Sequence, residues 1–272
     1  MTDPIRLGVA LTLPSIAPLR DWIFDHDRAV EMQDFVGPDV FLQDPGDLIG
    51  ALNAALDGHR GPRGIHGPFF GLDLSNPDAE IRAIVTARLL RGLTIAERLG
   101  ADHMVIHSPF TFWHVLNRVN YAGIRSAMLD AMAGCLTPVL ARAASTGCTL
   151  MLENIDDTDP GARLELVETM GHPRLMVSVD TGHAELAHHR YGAPPLVDHL
   201  DLVAARLGHV HLQDVDGHAD RHWHPGEGCI LWPPVFAAIG RAPAPPRLIL
   251  EVRDGHERLP VTVARLAHCG VG

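Results

Sequence analysis

Six side chains that are able to bind a divalent metal each stand at or near the end of a short apolar run. They are His66, His107, Glu153, Asp180, His211 and Glu251. Carboxylate and neutral imidazole are ligands that zinc and manganese accept, and the set contains no cysteine. A donor set without thiolate is typical of an open catalytic site, whereas structural zinc sites are usually rich in cysteine. The pattern therefore predicts a metal-dependent enzyme.

Two further carboxylate–imidazole pairs lie close together in the chain. Asp180 and His183 are three residues apart, and Asp220 and His222 are two residues apart. Either pair is suited to bind a metal or to transfer a proton near neutral pH. Both pairs would extend the first set if the fold brings their segments to the same place.

Eight strand-like runs position these residues. The runs are Leu7–Leu13, Val40–Gln43, Arg63–His66, His103–His107, Thr149–Glu153, Leu175–Asp180, His209–Leu212 and Leu248–Val252. Amphipathic stretches such as Asp78–Leu99 and Arg125–Ser145 lie between them. This alternation predicts a single α/β domain over residues 1–272, a (β/α)8 barrel. A doubly wound open sheet is the alternative, but no G-x-G-x-x-G motif follows the first run.

A parallel barrel would explain why the metal-competent residues are so far apart in the chain. The carboxyl ends of all its strands meet at one face, where barrel active sites form. Side chains from six consecutive runs would therefore converge in space.

The composition excludes several chemistries. All 22 basic residues are Arg, so the chain has no Schiff-base lysine, no Walker A phosphate loop and no Ser-x-x-Lys hydrolase motif. The net charge of −11 argues against nucleic acid and anionic membranes as partners. The four cysteines form no C-x-x-C motif, which favours a reduced, cytoplasmic protein without disulfides.

Several ordered segments resemble the sugar-phosphate isomerase/epimerase group of xylose-isomerase-like barrels, a superfamily shared with endonuclease IV. The segments are His66-Gly67-Pro68-Phe69, Val105-Ile106-His107, Leu152-Glu153-Asn154, Val179-Asp180-Thr181-Gly182-His183, His209-Val210-His211-Leu212-Gln213-Asp214, Asp220-Arg221-His222 and Ile249-Leu250-Glu251. They span residues 66–251 in the order of the family. The resemblance implies a TIM barrel and a bound divalent metal.

The resemblance implies two metal arrangements. In the sugar epimerases one ion is bound at the positions of Glu153, Asp180, His211 and Glu251. In endonuclease IV three zinc ions also use the positions of His66, His107, His183, Asp220 and His222. All nine residue types are present, so one to three ions are compatible with the sequence, with zinc or manganese favoured over magnesium.

With one ion, the expected function is isomerisation or epimerisation of a small sugar-like keto or polyol substrate. Glu153 and Glu251 would then act as acid and base on opposite sides of a carbon, through a metal-stabilised enediolate. The other expected contacts to substrate are His183, Arg221, His66, His107, Phe69 and Trp113, with Phe70 and Trp232 as further candidates for the pocket wall.

Two other reactions use the same side chains. With three ions the site would cleave a phosphodiester, and a metal-dependent dehydratase is a further alternative. The sequence also predicts that His209 is a core residue, that Asp214 orients His211 or Arg221, and that His224 is able to replace His222.

Overall fold

The computed structural model describes residues 6–269, in which eight parallel strands close into one barrel. The strands are β1 (Leu7–Leu11), β2 (Val30–Met32), β3 (Arg63–His66), β4 (His103–His107), β5 (Thr149–Glu153), β6 (Leu175–Asp180), β7 (Leu207–Leu212) and β8 (Arg247–Leu250). Each strand pairs with the next in the chain, and β8 pairs with β1. The predicted (β/α)8 barrel is confirmed.

Helices surround the barrel. They are α1 (Leu13–Ile16), α2 (Arg20–Asp25), α3 (Asp39–Leu42), α4 (Gly46–Ala55), α5 (Ala79–Leu99), α6 (Phe112–Asn117), α7 (Ile124–Thr146), α8 (Pro160–Met170), α9 (Thr181–Tyr191), α10 (Leu196–Val203), α11 (Trp232–Ile239) and α12 (Leu259–Leu266). Short 3₁₀ turns lie at Ala17–Leu19, Ala204–Arg206, His256–Arg258 and Ala267–Cys269.

The prediction for the second strand is wrong. Residues Asp39–Leu42 form the short helix α3, and the strand that enters the barrel is β2, ten residues earlier. Leu42 is 68% exposed, whereas all of β2 is buried. The sequence pattern does not indicate β2, because Glu31 interrupts an already short apolar run and a buried charge is not expected in a barrel core.

The ends of the long helices follow local rules. The Asp78 side chain caps α5 by accepting a hydrogen bond from the Glu80 N–H at 2.8 Å. Gly100 and Gly147 end α5 and α7 with φ of 66° and 77°, a left-handed conformation that glycine adopts without strain. Each helix therefore stops just before the next strand.

Within the described residues, α7 is the one helix long and apolar enough to cross a membrane by length and composition alone. Its buried residues include Met132, Leu136 and Val139, which belong to the same hydrophobic core as the barrel strands. The helix also packs beside α5 and β5. The buried face of α7 therefore packs on the barrel.

Candidate metal centre

The predicted donor residues lie together at the carboxyl end of the barrel. His66, His107, Glu153 and Asp180 are the last residues of β3, β4, β5 and β6. His211 is the penultimate residue of β7, and Glu251 directly follows β8. Strand register aligns His107 with Glu153, and Asp180 with His211. The barrel therefore brings six residues that are distant in the chain to the opening at the carboxyl ends of its strands, which is called the mouth below.

The central donor set contains Glu153, Asp180, His211 and Glu251, whose donor atoms all lie within 4.8 Å of one another. His211 Nδ1 is 2.5 Å from Glu153 Oε1 and 3.4 Å from Glu251 Oε2. Asp180 Oδ2 is buried and has no hydrogen-bond partner within the described residues. Burying a carboxylate oxygen without a partner is costly, and a divalent cation would satisfy it. The set therefore fits a divalent ion.

A second donor set lies beside the first and shares Glu153. The Nε2 atoms of His66 and His107 are 3.5 and 3.4 Å from Glu153 Oε2, and 3.3 Å from each other. Glu153 thus directs one oxygen to the central set and the other to this imidazole pair. Glu153 would therefore be able to contribute a ligand oxygen to each of the two sets.

The third donor set contains His183, Asp220 and His222. The Nε2 atoms of the two imidazoles lie 3.4 and 3.2 Å from the Asp220 carboxylate. His222 has a φ of 49°, which is strained for a residue other than glycine. Gln213 stabilises this loop, because its amide donates to Asp220 at 3.0 Å and accepts from the His222 N–H at 2.9 Å.

Three imidazoles donate one ring N–H to a backbone carbonyl, which can only accept. The pairs are His66 Nδ1 with the Gly67 carbonyl (3.0 Å), His183 Nδ1 with the Asn154 carbonyl (2.9 Å) and His222 Nδ1 with the Glu251 carbonyl (3.3 Å). In a neutral imidazole the other nitrogen then carries the lone pair. For all three residues that nitrogen is the Nε2 atom directed into a donor set, as metal ligation requires.

The ionisable groups of the mouth compensate one another's charge. Burial by itself would raise the pKa of Glu153, but His211, His66 and His107 hold it well below its usual range. Burial would lower the pKa of His211, but the neighbouring carboxylates raise it well above normal. Burial raises the pKa of Asp180 to about 6. Without metal, protons on the imidazoles neutralise the carboxylates, so binding of a cation would release protons.

The comparison with known proteins decides the family. The sequence matches the model of a family described as a xylose isomerase-like TIM barrel over residues 28–268. The chain belongs to this family. No curated protein matches the sequence.

Several solved structures are similar to that of this chain. The TTHB071 protein from Thermus thermophilus, solved after soaking with ZnCl2, is 26% identical, with a TM-score of 0.71 over 97% of this chain and 99% of that one. A D-tagatose 3-epimerase-like protein is 19% identical, with a TM-score of 0.74 over 97% of both chains. The 3-keto-D-glucoside 4-epimerase from E. coli is 17% identical, with a TM-score of 0.70 over 97% of this chain and 100% of that one. The last two show the shared fold.

Sequence reasoning missed Glu31, a fully buried carboxylate inside this xylose isomerase-like barrel. Its Oε1 lies 2.8 Å from His211 Nε2, and its Oε2 lies 2.8 Å from His103 Nε2 and 3.2 Å from His209 Nε2. No sequence motif contains Glu31, and the predicted second strand does not include it. The one sequence feature that could have indicated its role is the presence of a carboxylate within the short apolar run Val30–Met32.

The Glu31 carboxylate determines which way the hydrogen bonds of this group run. An ionised carboxylate can only accept, so His103 donates its Nε2 proton to Glu31. The other ring nitrogen of His103, Nδ1, contacts Arg247 and lies 3.4 Å from Asp102 Oδ1. Glu31 also accepts the Nε2 proton of His211, so His211 Nδ1 would bind a metal in the central set once the proton that it shares with Glu153 is released.

The expected aromatic wall is present only in part. The Phe69 ring stacks on His107, with centroids 4.0 Å apart. Trp113 is 44% exposed on α6 and packs against Tyr121. Trp232 is buried and donates its indole N–H to Asp214 at 3.0 Å. The expectation that Trp232 belongs to a pocket wall is therefore wrong.

Two of the expected supporting roles, those of Asp214 and His224, are wrong. Arg221 donates two N–H groups to Asp216, at 2.9 and 2.7 Å, and its contact with substrate stays a prediction. Asp214 accepts from the backbone of the following loop and from Trp232, so the expectation that it orients His211 or Arg221 is wrong. His224 is buried against Thr262 and the Asp254 carbonyl, so it is no replacement for His222. His209 lies in the barrel core, as expected.

Proposed function

We propose that this barrel is a metal-dependent enzyme that binds up to three divalent ions, zinc or manganese, and hydrolyses a phosphoester of a small molecule. The observation that carries this proposal is the division of Glu153 between two donor sets. Its Oε1 is directed at His211, and its Oε2 is directed at His66 and His107. Removal of a proton from a substrate carbon requires a carboxylate oxygen that faces the substrate. Neither oxygen of Glu153 is free in this way.

The charge of the mouth supports the same function. Glu31, Glu153, Asp180, Asp220 and Glu251 place five carboxylates at or directly below it. Without metal, protons on the imidazoles neutralise these carboxylates, and metal binding would release those protons. Three divalent ions would then bring six positive charges against the five carboxylates, which suits an anionic substrate.

Polar side chains near the donor sets are already engaged with one another. Gln33 donates to Glu31 and Glu251, and Gln213 bonds Asp180 and Asp220. Asn154 exchanges two hydrogen bonds with the backbone of Asp180. A sugar needs several donors and acceptors for its hydroxyl groups, whereas a phosphoryl group is recognised chiefly by positive charge.

The bound ions would supply a water-derived nucleophile at neutral pH and would neutralise the charge of the phosphoryl oxygens. The chain's own residues prepare that chemistry. His66, His183 and His222 present Nε2 lone pairs because their Nδ1 protons are bonded to carbonyls. Phe69 packs on the imidazole of His107 and excludes water from one side of the pair.

An isomerase or epimerase of a sugar-like keto or polyol substrate is the second candidate. The central donor set by itself offers four ligands for one ion, which favours this function. Glu153 and Glu251 would then transfer the proton, and the remaining imidazoles would bond substrate oxygens. A dehydratase would use the same arrangement. Structural neighbours described as sugar epimerases give this candidate support from the fold.

Metal stoichiometry and reaction type together distinguish the candidates. The metal-free protein is titrated with Zn²⁺ and with Mn²⁺, and bound metal is measured by elemental analysis. The protein is then assayed for phosphate release from small phosphoesters and, in D₂O, for deuterium incorporation into keto-sugars. The expected result is two or three ions per chain and phosphoester cleavage that falls more than about 100-fold in His66→Ala.

The matched control is His26→Ala, because His26 is exposed and lies outside the donor sets. It should retain both metal and activity. One ion per chain, full activity in His66→Ala and deuterium in the sugar product would reject phosphoester cleavage in favour of the second candidate. If no divalent ion binds, both functions are rejected.

A further inference from the structure

One buried side chain joins two of the donor sets. Gln213 directly follows β7 and is fully buried. Its Nε2 lies 3.1 Å from Asp180 Oδ1 in the central set and 3.0 Å from Asp220 Oδ1 in the third set. Its Oε1 accepts the His222 N–H at 2.9 Å. A single amide therefore contacts three donor residues that belong to two different sets.

The partners determine the orientation of this amide. An ionised carboxylate can only accept a hydrogen bond, and a backbone N–H can only donate one. The amide nitrogen must therefore face Asp180 and Asp220, and the oxygen must face His222. Both amide hydrogens and the oxygen are engaged, so the side chain of Gln213 makes its three contacts in one arrangement only.

The backbone of Gln213 is fixed by the beginning of α9. Thr181 Oγ1 donates to the Gln213 carbonyl at 2.8 Å and accepts from the Gln213 N–H at 3.0 Å. Gly182 leaves the space that the amide occupies, because a Cβ atom at this position would lie 2.3 Å from Gln213 Cδ. The first turn of α9 is therefore packed directly against the amide.

In the central set, Gln213 fixes the direction of the Asp180 carboxylate. Asp180 Oδ1 accepts from Gln213 and, at 2.7 Å, from the His183 N–H. Asp180 Oδ2 is buried and has no hydrogen-bond partner within the described residues. The two donors on Oδ1 therefore leave Oδ2 as the oxygen that is available to an ion.

The third set depends on Gln213 more strongly, because two of its residues lie on a loop. Asp220 and His222 stand between β7 and α11, outside the helices and strands. The Asp220 side chain is 40% exposed, and the backbone of His222 is strained. Without the amide, both residues would lose the hydrogen bonds that hold them beside His183, and the three donors would lose their common geometry.

We infer that Gln213 couples the third donor set to the central one, so that ions bind to the two sets cooperatively. An ion on Asp180 fixes the carboxylate that orients the amide, and the amide in turn holds Asp220 and His222 in place for the next ion. Gln213 is a positioning residue, and the inference rests on the proposed binding of several ions. No hydrogen bond joins Gln213 to His66 within the described residues, so the second set lies outside the coupling.

Titration of the metal-free protein with Cd²⁺, followed by cadmium NMR, tests the coupling, because each bound ion gives its own resonance. His222→Ala identifies the resonance of the third set, and His66→Ala identifies that of the second set. In the parent, the third-set resonance should grow together with that of the central set. In Gln213→Met the third-set ion should bind about 10- to 100-fold more weakly, whereas the second-set resonance should stay unchanged. Gln43→Met changes an exposed glutamine and should behave as the parent does.

Gly182→Ala is an independent variant that retains Gln213. The added methyl group would displace the amide, so this variant should weaken the same ion as Gln213→Met does. Gly134→Ala is the matched control, because position 134 is exposed on α7 and a Cβ atom there meets open space. Thermal melting of the metal-free variants shows that they fold.

Third-set affinity equal to that of the parent in both Gln213→Met and Gly182→Ala would overturn the coupling. Equal weakening of all ions in variants that melt as the parent does would also overturn it, because Gln213 would then support the whole centre. A parent that shows no third-set resonance would overturn it as well.

The titration needs no substrate, so its result is separable from that of the proposed function. If both variants weaken the third-set ion but the parent cleaves no phosphoester, the coupling stands and phosphoester hydrolysis is rejected. If the parent cleaves phosphoesters and both variants bind the third-set ion as the parent does, the coupling is rejected and the hydrolysis stands.

Discussion

At the residue scale, the tautomers of the imidazoles determine what the mouth is able to bind. In His66, His183 and His222 the ring nitrogen that faces away from the donor set is bonded to a backbone carbonyl. In His211 that nitrogen is Nε2, and it lies 2.8 Å from the Glu31 carboxylate. A carboxylate is a stronger acceptor than a carbonyl, so Glu31 both fixes the ring and increases the basicity of Nδ1. Glu31 is therefore a positioning residue for the central donor set.

Replacing Glu31 with Gln should lower the affinity for Zn²⁺ by about 10- to 100-fold, as loss of such a partner commonly does. A glutamine is able to direct its N–H₂ group toward His211 and would then favour the wrong tautomer. Isothermal titration with Zn²⁺ measures the change. Glu80→Gln, on the exposed surface of α5, is the matched control and should bind as the parent does. Equal affinities in both variants would contradict the role of Glu31.

The sequence was informative about residues wherever a reactive side chain stood at a strand end. His66 and Asp180 are examples, because residue type and position in the chain were sufficient to place them at the mouth. It was uninformative about Glu31, whose partners His103, His209 and His211 lie 72 or more residues away in the chain. Contacts of that kind leave no local pattern.

At the element scale, Arg163 joins two strands to the helix that carries it. This fully buried arginine of α8 donates to the Leu152 carbonyl of β5 at 3.2 Å and contacts the Ser178 carbonyl of β6. Asp157 lies 3.1 Å from its guanidinium and provides the compensating charge. Glu153 and Asp180 end these same strands, so Arg163 stabilises the elements that position the central donor set.

Replacing Arg163 with Met should lower the free energy of unfolding by about 3–5 kcal/mol, because the buried Asp157 would lose its partner. The control is Arg241→Met, since Arg241 and Asp201 form an exposed pair whose loss costs about 1 kcal/mol or less. Urea denaturation of both variants measures the difference. A loss in Arg163→Met as small as that of the control would show that the buried pair does not stabilise β5 and β6.

The positions of most elements followed from local pattern, and β2 was the exception among the strands. Runs such as His103–His107 combine apolar residues with a turn on either side, so they read as strands without tertiary information. Val30–Met32 is short and contains a carboxylate. It becomes a strand because β1 and β3 supply hydrogen-bonding partners on both sides.

At the scale of the whole molecule, the two ends of the barrel carry different charge arrangements. The carboxyl end has the acidic and imidazole donor sets. At the amino end, Asp102 before β4 forms an ion pair with Arg247 at the start of β8, across 145 residues of sequence. The pair connects strands on opposite sides of the barrel, and it contacts the same His103 that bonds Glu31.

Asp102→Asn should make the stability of the barrel less dependent on acid. Burial would raise the pKa of Asp102, but His103 and Arg247 hold it far below its usual value. Because the folded-state pKa lies below the unfolded one, the ionised group contributes stability above about pH 4, which is lost as the pH falls. The variant should be less stable at pH 7, by about 1 kcal/mol, since the pair is partly exposed.

Melting temperatures at pH 7 and pH 3 measure this effect. The difference between parent and Asp102→Asn should shrink at the lower pH, because the carboxyl of the unfolded parent then binds a proton and the unfolded state is favoured. Asp130→Asn changes an exposed carboxylate on α7 and should follow the parent at both values. An equal difference for Asp102→Asn at pH 7 and pH 3 would contradict the linkage.

The sequence by itself determined the barrel class and the residues of the mouth, because both depend on local alternation and on which residue ends each strand. Only the tertiary structure decided that Glu153 directs its two oxygens to different donor sets and that Glu31 contacts His211 from the other side of its ring. These features depend on side-chain directions and on contacts across the barrel. Neither is encoded in the spacing of residues along one strand.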